Sequence, residues 1–225
     1  MRTKILLVFA ILVATEVVNA EEVLYQCSFA PDKWKSSEWQ IVKSPRWPYI
    51  GAWEQQKDHI SNKIPKDATA HEMLSKRAGE TYTSMLLKEK FSGNVDISCT
   101  MSFDYRMAPL LVIAPIYGKD AKGQPEYREH FEIVLYNKGL NVWHHYYTNG
   151  IPHWRKAAFM KAEFKPKQKY TLNVKINFTK PGPMMTISCD GKTFGYIDDT
   201  LPQVFYIGLT ACEGVNRFYD FKVKK

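Results

Sequence analysis

The sequence predicts an all-β protein, a sandwich of two packed antiparallel sheets with little helix. Three observations carry this. Residues 95–106 alternate strictly: Val95, Ile97, Cys99, Met101 and Phe103 share one parity, and Asp96, Ser98, Thr100, Ser102, Asp104 and Arg106 the other. That period of two belongs to a sheet with one buried face. The closing residues 170–223 hold short apolar runs separated by turn chemistry at Pro181-Gly182-Pro183 and Asp190-Gly191. No repeat, low-complexity tract or linker divides the chain, and about eleven or twelve strand-like runs follow one another at the spacing of an all-β sandwich.

In order, residues 23–29 alternate as a first strand. Residues 32–48 are rich in Trp, Ser and Pro and read as a loop with a short strand at 39–42. Residues 53–62 read as a strand pair, and 63–79 as polar chain with one helical turn around His71-Glu72-Met73-Leu74. Strands at 84–91 and 95–106 flank Ser92-Gly93-Asn94. Residues 110–114 are wholly apolar, 118–125 form a polar hairpin loop, and 127–137 and 140–147 pair about Asn137-Lys138-Gly139. Asn149-Gly150-Ile151-Pro152 is a further turn, and residues 161–169 are a basic connector into the closing strands, which read as core.

Residues 1–20 read as a secretory signal. Arg2 and Lys4 precede an apolar stretch at residues 5–14, and Val18-Asn19-Ala20 fits the small-residue cleavage rule. The expected mature chain is one domain, residues 21–225, secreted or periplasmic, without stable membrane insertion because no later stretch is long and apolar enough. The net charge of +8 favours anionic partners or is ordinary solubility charge, and no helix-turn-helix, zinc finger or RNA-recognition signature occurs, so nucleic acid is not expected. Cys27, Cys99, Cys189 and Cys212 match no zinc-knuckle spacing. In an exported chain they could pair or stay as buried thiols, and both remain open.

Several motifs together resemble the concanavalin A-like jelly rolls, the laminin-G and laminarinase-like domains of exported bacterial polysaccharide-utilisation proteins. They are the 23–29 strand followed by Trp34 and Trp39; Gly51-Ala52-Trp53-Glu54 with Asp58-His59, where the family often has Asp-Gly; Glu89-Lys90-Phe91 before Asn94-Val95-Asp96-Ile97; and the ending Asp190-Gly191-Lys192, Ile207-Gly208-Leu209 and Phe218-Tyr219-Asp220-Phe221. The resemblance spans the mature chain. It implies a jelly roll whose concave sheet commonly holds sugar, although fold alone does not assign function.

The paired-carboxylate strand motif of laminarinase-like hydrolases, Glu-x-Asp-x-x-Glu, is absent; Glu129-His130-Phe131-Glu132 lacks its middle Asp. The densest chemistry lies at residues 127–155. His130, Glu132, Tyr136, His145 and Tyr147 are the candidate catalytic groups, since His, Glu and Tyr can trade protons. Trp143 and Trp154 are candidate stacking platforms, and Arg106, Arg128 and Arg155 candidate clamps for an acidic sugar. Adjacent His144 and His145 point to opposite faces, so no shared metal is expected of them, and no cofactor is expected. Trp34, Trp39, Trp47 and Trp53 read as a staple over the sandwich edge or as a cleft wall.

The expected function is an exported carbohydrate-active protein. It binds or acts on a polysaccharide, an acidic one being favoured, as a lyase or an atypical glycoside hydrolase. Alternatives are a non-catalytic glycan-binding module and a structural sandwich with no sugar site.

Overall fold

A computed structural model describes residues 21–106 and 108–225; the expected signal at residues 1–20 lies outside them. Sixteen strands follow in chain order: β1 Val23–Ser28, β2 Trp39–Ile41, β3 Trp53–Gln55, β4 Ile60–Asn62, β5 Thr83–Leu87, β6 Phe91–Ser92, β7 Val95–Phe103 and β8 Pro109–Lys119, then β9 Pro125–Tyr136, β10 Gly139–Thr148, β11 Ile151–Lys161, β12 Tyr170–Thr179, β13 Gly182–Cys189, β14 Lys192–Ile197, β15 Val204–Ala211 and β16 Asn216–Lys224. Only three short 3-10 turns interrupt them. One, Glu72–Leu74, is the helical turn the sequence predicts.

The strands form two eight-stranded antiparallel sheets. The first runs β14-β13-β12-β7-β16-β4-β3, with β1 also on β16. The second runs β11-β10-β9-β8-β15-β5-β2, with β6 also on β15. The alternation of β7 does as predicted: Val95, Ile97, Cys99, Met101 and Phe103 are all buried. They meet Leu111, Ile113, Phe131, Ile133, Leu135, Leu140 and Val142 from the second sheet in one core. Asp190 and Gly191 both take positive φ, 52° and 72°, as the tight turn between β13 and β14 requires.

Two expectations are refined. The strands outnumber the predicted runs, chiefly because residues 151–161 are a strand. Their exposed His153, Arg155 and Lys156 hide the alternation of an edge strand with little of its surface buried. All four cysteines are free thiols, three of them buried. Cys27 and Cys99 both pair with Phe221, one from each side of β16. A whole strand therefore separates them, roughly twice the 4.8 Å interstrand spacing and beyond disulfide reach.

The second sheet has a second apolar layer on its outward face. Val42, Leu86, Val112, Ala114 and Tyr127 pack there under the chain that leaves β2. That chain is tied down by backbone bonds from Lys43 N–H to Pro125 O (2.8 Å) and from Tyr127 N–H to Lys43 O (3.0 Å). Beside this cover the face remains open.

Candidate functional site

Strand parity decides which side chains reach the open face. In β9, Phe131, Ile133 and Leu135 go to the core, so His130, Glu132, Val134 and Tyr136 face outward. In β10, Leu140 and Val142 go inward and Asn141, Trp143 and His145 outward. The register sets His145 opposite His130 on one side and Trp154 of β11 on the other. A bulge between Val142 and Trp143 in the β10–β11 pairing adjusts this row.

The result is a file of stacked rings across three strands. Tyr127 and His130 have centroids 4.2 Å apart, His130 and His145 4.4 Å, and His145 and Trp154 6.5 Å, each pair within 27° of parallel. The cleft of about 190 Å³ beside this file has apolar walls from Leu110, Val134, Trp143 and Trp154. Its polar lining is Arg46, Glu132, Asn141, His145 and Glu213. Trp154 is 47% exposed at the mouth.

Glu132 is the electrostatic centre. Its Oε1 lies 3.3 Å from His130 Nε2 and its Oε2 3.1 Å from His145 Nε2. Burial alone would raise this carboxyl, but His145 and His130 outweigh that and hold it well below the carboxylate range. Burial first, then neighbouring His145, push the His130 imidazole down to about 4. The His145 contact has ion-pair distance but not hydrogen-bond alignment, so His145 Nε2 is a buried polar atom without a hydrogen-bond partner. Asn141 Oδ1 and His130 Nδ1 are also unpartnered. Burial also raises the Glu213 carboxyl. Arg46 beside it opposes this, and the Glu132 charge adds to it. Arg46 reaches 3.8 Å from Glu213 Oε1 and lies over the Trp47 and Trp154 rings at 4.5 and 5.8 Å.

Of the residues singled out in the sequence, His130, Glu132, Trp143, His145 and Trp154 come together here. The others lie elsewhere. Tyr136 is farther along the same face, near Phe159. Tyr147 donates its hydroxyl proton to Glu126 Oε2 at 3.1 Å. Arg128 pairs with Glu126 at 2.7 Å and covers the Tyr147 ring at 5.0 Å. Arg155 turns to the opposite side of β11, 3.4 Å from Asp198. Arg106 packs over its neighbour Tyr105. His144 faces away from His145, as strand parity requires, and stacks on Phe131 with its Nε2 2.9 Å from Glu129. Trp39 is core, with Trp34 and Trp53 packed against it, and Trp47 lies in the covering chain beneath Arg46.

The sequence reading missed Arg46, Asn141, Cys212 and Glu213. The closing segment, read as core alone, supplies two of them. Glu213 holds a φ of +54°, unusual for a non-glycine residue. Its place before Gly214 was the one local sign of a tight turn there.

No family model matches this sequence, and no curated protein matches it. Solved structures do. A carbohydrate-binding module, CBM66, from Bacillus subtilis superposes with a TM-score of 0.57 at 12% identity, over 84% of this chain and 96% of that one. The fold is a concanavalin A-like jelly roll. A Bacillus subtilis protein of unknown function with a galectin-like fold gives 0.59 at 12% identity, over 90% and 96% of the two chains. The β-agarase A of Zobellia galactanivorans gives 0.59 at 8% identity, over 92% of each. At these identities this jelly roll shares its architecture with them.

Proposed function

We propose that this jelly roll binds a glycan in the cleft between Trp143, Trp154 and Glu213. One observation carries the reading: Asn141 Oδ1 and His145 Nε2, two buried polar atoms without a hydrogen bond, belong to residues that line one cleft with Trp143 and Trp154. A buried polar atom without a partner costs free energy that a ligand hydroxyl would recover. An indole face offers the apolar side of a sugar ring a stacking surface. The carbohydrate-binding module, and the lectin UEA-II solved in complex with galactose (TM-score 0.52 at 8% identity), support the reading by likeness of fold. Arg46 at the rim favours an acidic sugar. Export by residues 1–20 would deliver the cleft to glycans outside the cytoplasm; N-terminal sequencing of secreted protein, expected to start at Glu21, checks this.

A catalytic form rests on Glu132 and Glu213. Two carboxyls in one cleft, one held ionised and the other pushed toward its protonated form, is the division of labour of a base and an acid. It supports hydrolysis above elimination, because Tyr136, Tyr147, Arg128 and Arg155 are engaged outside the cleft.

The test is calorimetric titration of purified protein with neutral and uronic-acid oligosaccharides, alongside reducing-end and ultraviolet unsaturated-end assays. Saturable binding, weakened in Trp154→Ala, is expected. Failure to bind any of them would overturn the glycan reading. Binding without products would leave a module, and unsaturated ends would reinstate the lyase.

A further inference from the structure

The structure assigns a divalent transition-metal site to His130, Glu132 and His145 at the floor of the cleft. The three side chains each offer one ligand atom, and these atoms all lie within 4.8 Å of one another. Bonds of about 2.1 Å at tetrahedral angles put neighbouring ligand atoms roughly 3.4 Å apart. Glu132 Oε1 lies 3.3 Å from His130 Nε2 and Glu132 Oε2 3.1 Å from His145 Nε2, each close to that edge length, so either oxygen can serve with a small turn of the carboxylate.

One feature points to an ion rather than to a self-contained ion-pair network. His145, only 5% exposed, has its Nε2 beside the carboxylate but out of line for a hydrogen bond, leaving the nitrogen buried and unpartnered. A neutral imidazole is the form that coordinates metal. The carboxylate brings one negative charge, which a dication would more than offset.

Two imidazoles and one carboxylate suit zinc and its first-row neighbours better than calcium or magnesium, which prefer all-oxygen shells. Three protein ligands leave a fourth position. Glu132 and His145 line the cleft, so that position opens toward it, as in metal sites that take a water or a substrate oxygen. With the ion bound, Glu132 and His145 are ligands, so the carboxylate-pair chemistry and a hydroxyl contact at His145 Nε2 describe the metal-free chain, whereas Asn141 Oδ1 and the tryptophan walls serve either form. The metal site does not depend on glycan binding and is tested without sugar.

The experiment uses the mature chain stripped with EDTA and titrated with zinc chloride. It is read by calorimetry, by bound metal after desalting, and by thermal melting. One equivalent of zinc and a raised melting temperature are expected. His145→Ala and Glu132→Gln should each lose about 100-fold or more in affinity, whereas His153→Ala, outside the cluster, should keep it. Cobalt in place of zinc should give visible d–d bands that vanish in His145→Ala. If Glu132→Gln does not fold, His145→Ala carries the test, with near-ultraviolet dichroism as the fold control. No stoichiometric uptake by the wild-type chain, or uptake unchanged in His145→Ala, would overturn the site.

Discussion

Lys43 and Glu126 are joined twice: their backbones form an isolated parallel bridge, and Lys43 Nζ lies 3.2 Å from Glu126 Oε1. Asp120 adds a second carboxylate at 2.7 Å, and Arg128 balances Glu126 from the other side. This cluster pins the chain after β2 across the outward face of the second sheet, where Arg46 and Trp47 follow. It thereby holds one wall of the cleft.

Removing the Lys43 charge leaves two mostly buried carboxylates facing each other. Lys43→Met should therefore lower stability, though less than breaking a fully buried pair, because solvent reaches the site and Arg128 still pairs with Glu126. Urea unfolding should show a lower midpoint, and the cleft should loosen, seen as weaker binding at Arg46 before global unfolding.

Trp154 is half exposed and contributes little to the core. Trp154→Ala should leave the unfolding midpoint nearly unchanged while costing about 1–2 kcal/mol of glycan affinity, roughly 5- to 30-fold. A calorimetric titration beside a urea curve separates the two effects.

Gly51 holds a φ of +67°, and a Cβ built there would sit 1.9 Å from the carbonyl oxygen of Tyr82. Gly51→Ala must therefore move backbone, and we expect a loss of at least about 2 kcal/mol from the unfavourable φ and the clash together. Tyr82 is itself buried and precedes β5, so near-ultraviolet dichroism should change with the melting temperature.

Asp198 links the edge strands β14 and β11 of the two sheets. It accepts hydrogen bonds from Thr200 N–H at 3.0 Å and the Thr200 hydroxyl at 2.5 Å, and from the Tyr196 hydroxyl, with Arg155 at 3.4 Å. Burial would raise its carboxyl, but these donors hold it below its ordinary 3.8. The folded value lies below the unfolded one, so the stabilisation is present above about pH 4 and lost as pH falls through the folded value. Asp198→Asn should lower stability at neutral pH and flatten the acid limb. Urea midpoints from pH 2 to 7 check this.

The alternation of residues 95–103 and the turn at Asp190-Gly191 were legible because they are local: strand parity and positive φ depend on neighbours in the chain. The same parity rule sent His144 and His145 to opposite faces and brought His130, Glu132, Trp143 and His145 to one. Arg46 and Glu213 were not legible. They lie more than 160 positions apart, and what joins them is the docking of a covering chain on a sheet whose order is not sequential. The edge strand β11 was missed because with most of its side chains in solvent nothing enforces alternation.

By itself, then, the sequence determined that this is a two-sheet jelly roll, because burial imposes a period of two on its core strands. Only the tertiary structure decided that His130, Glu132 and His145 converge and that Tyr136, Tyr147, Arg128 and Arg155 are engaged elsewhere. It also decided that a cleft remains beside the chain following Lys43. Register across strands and the seating of a long loop are set by side chains far apart in sequence, and no local pattern encodes that meeting.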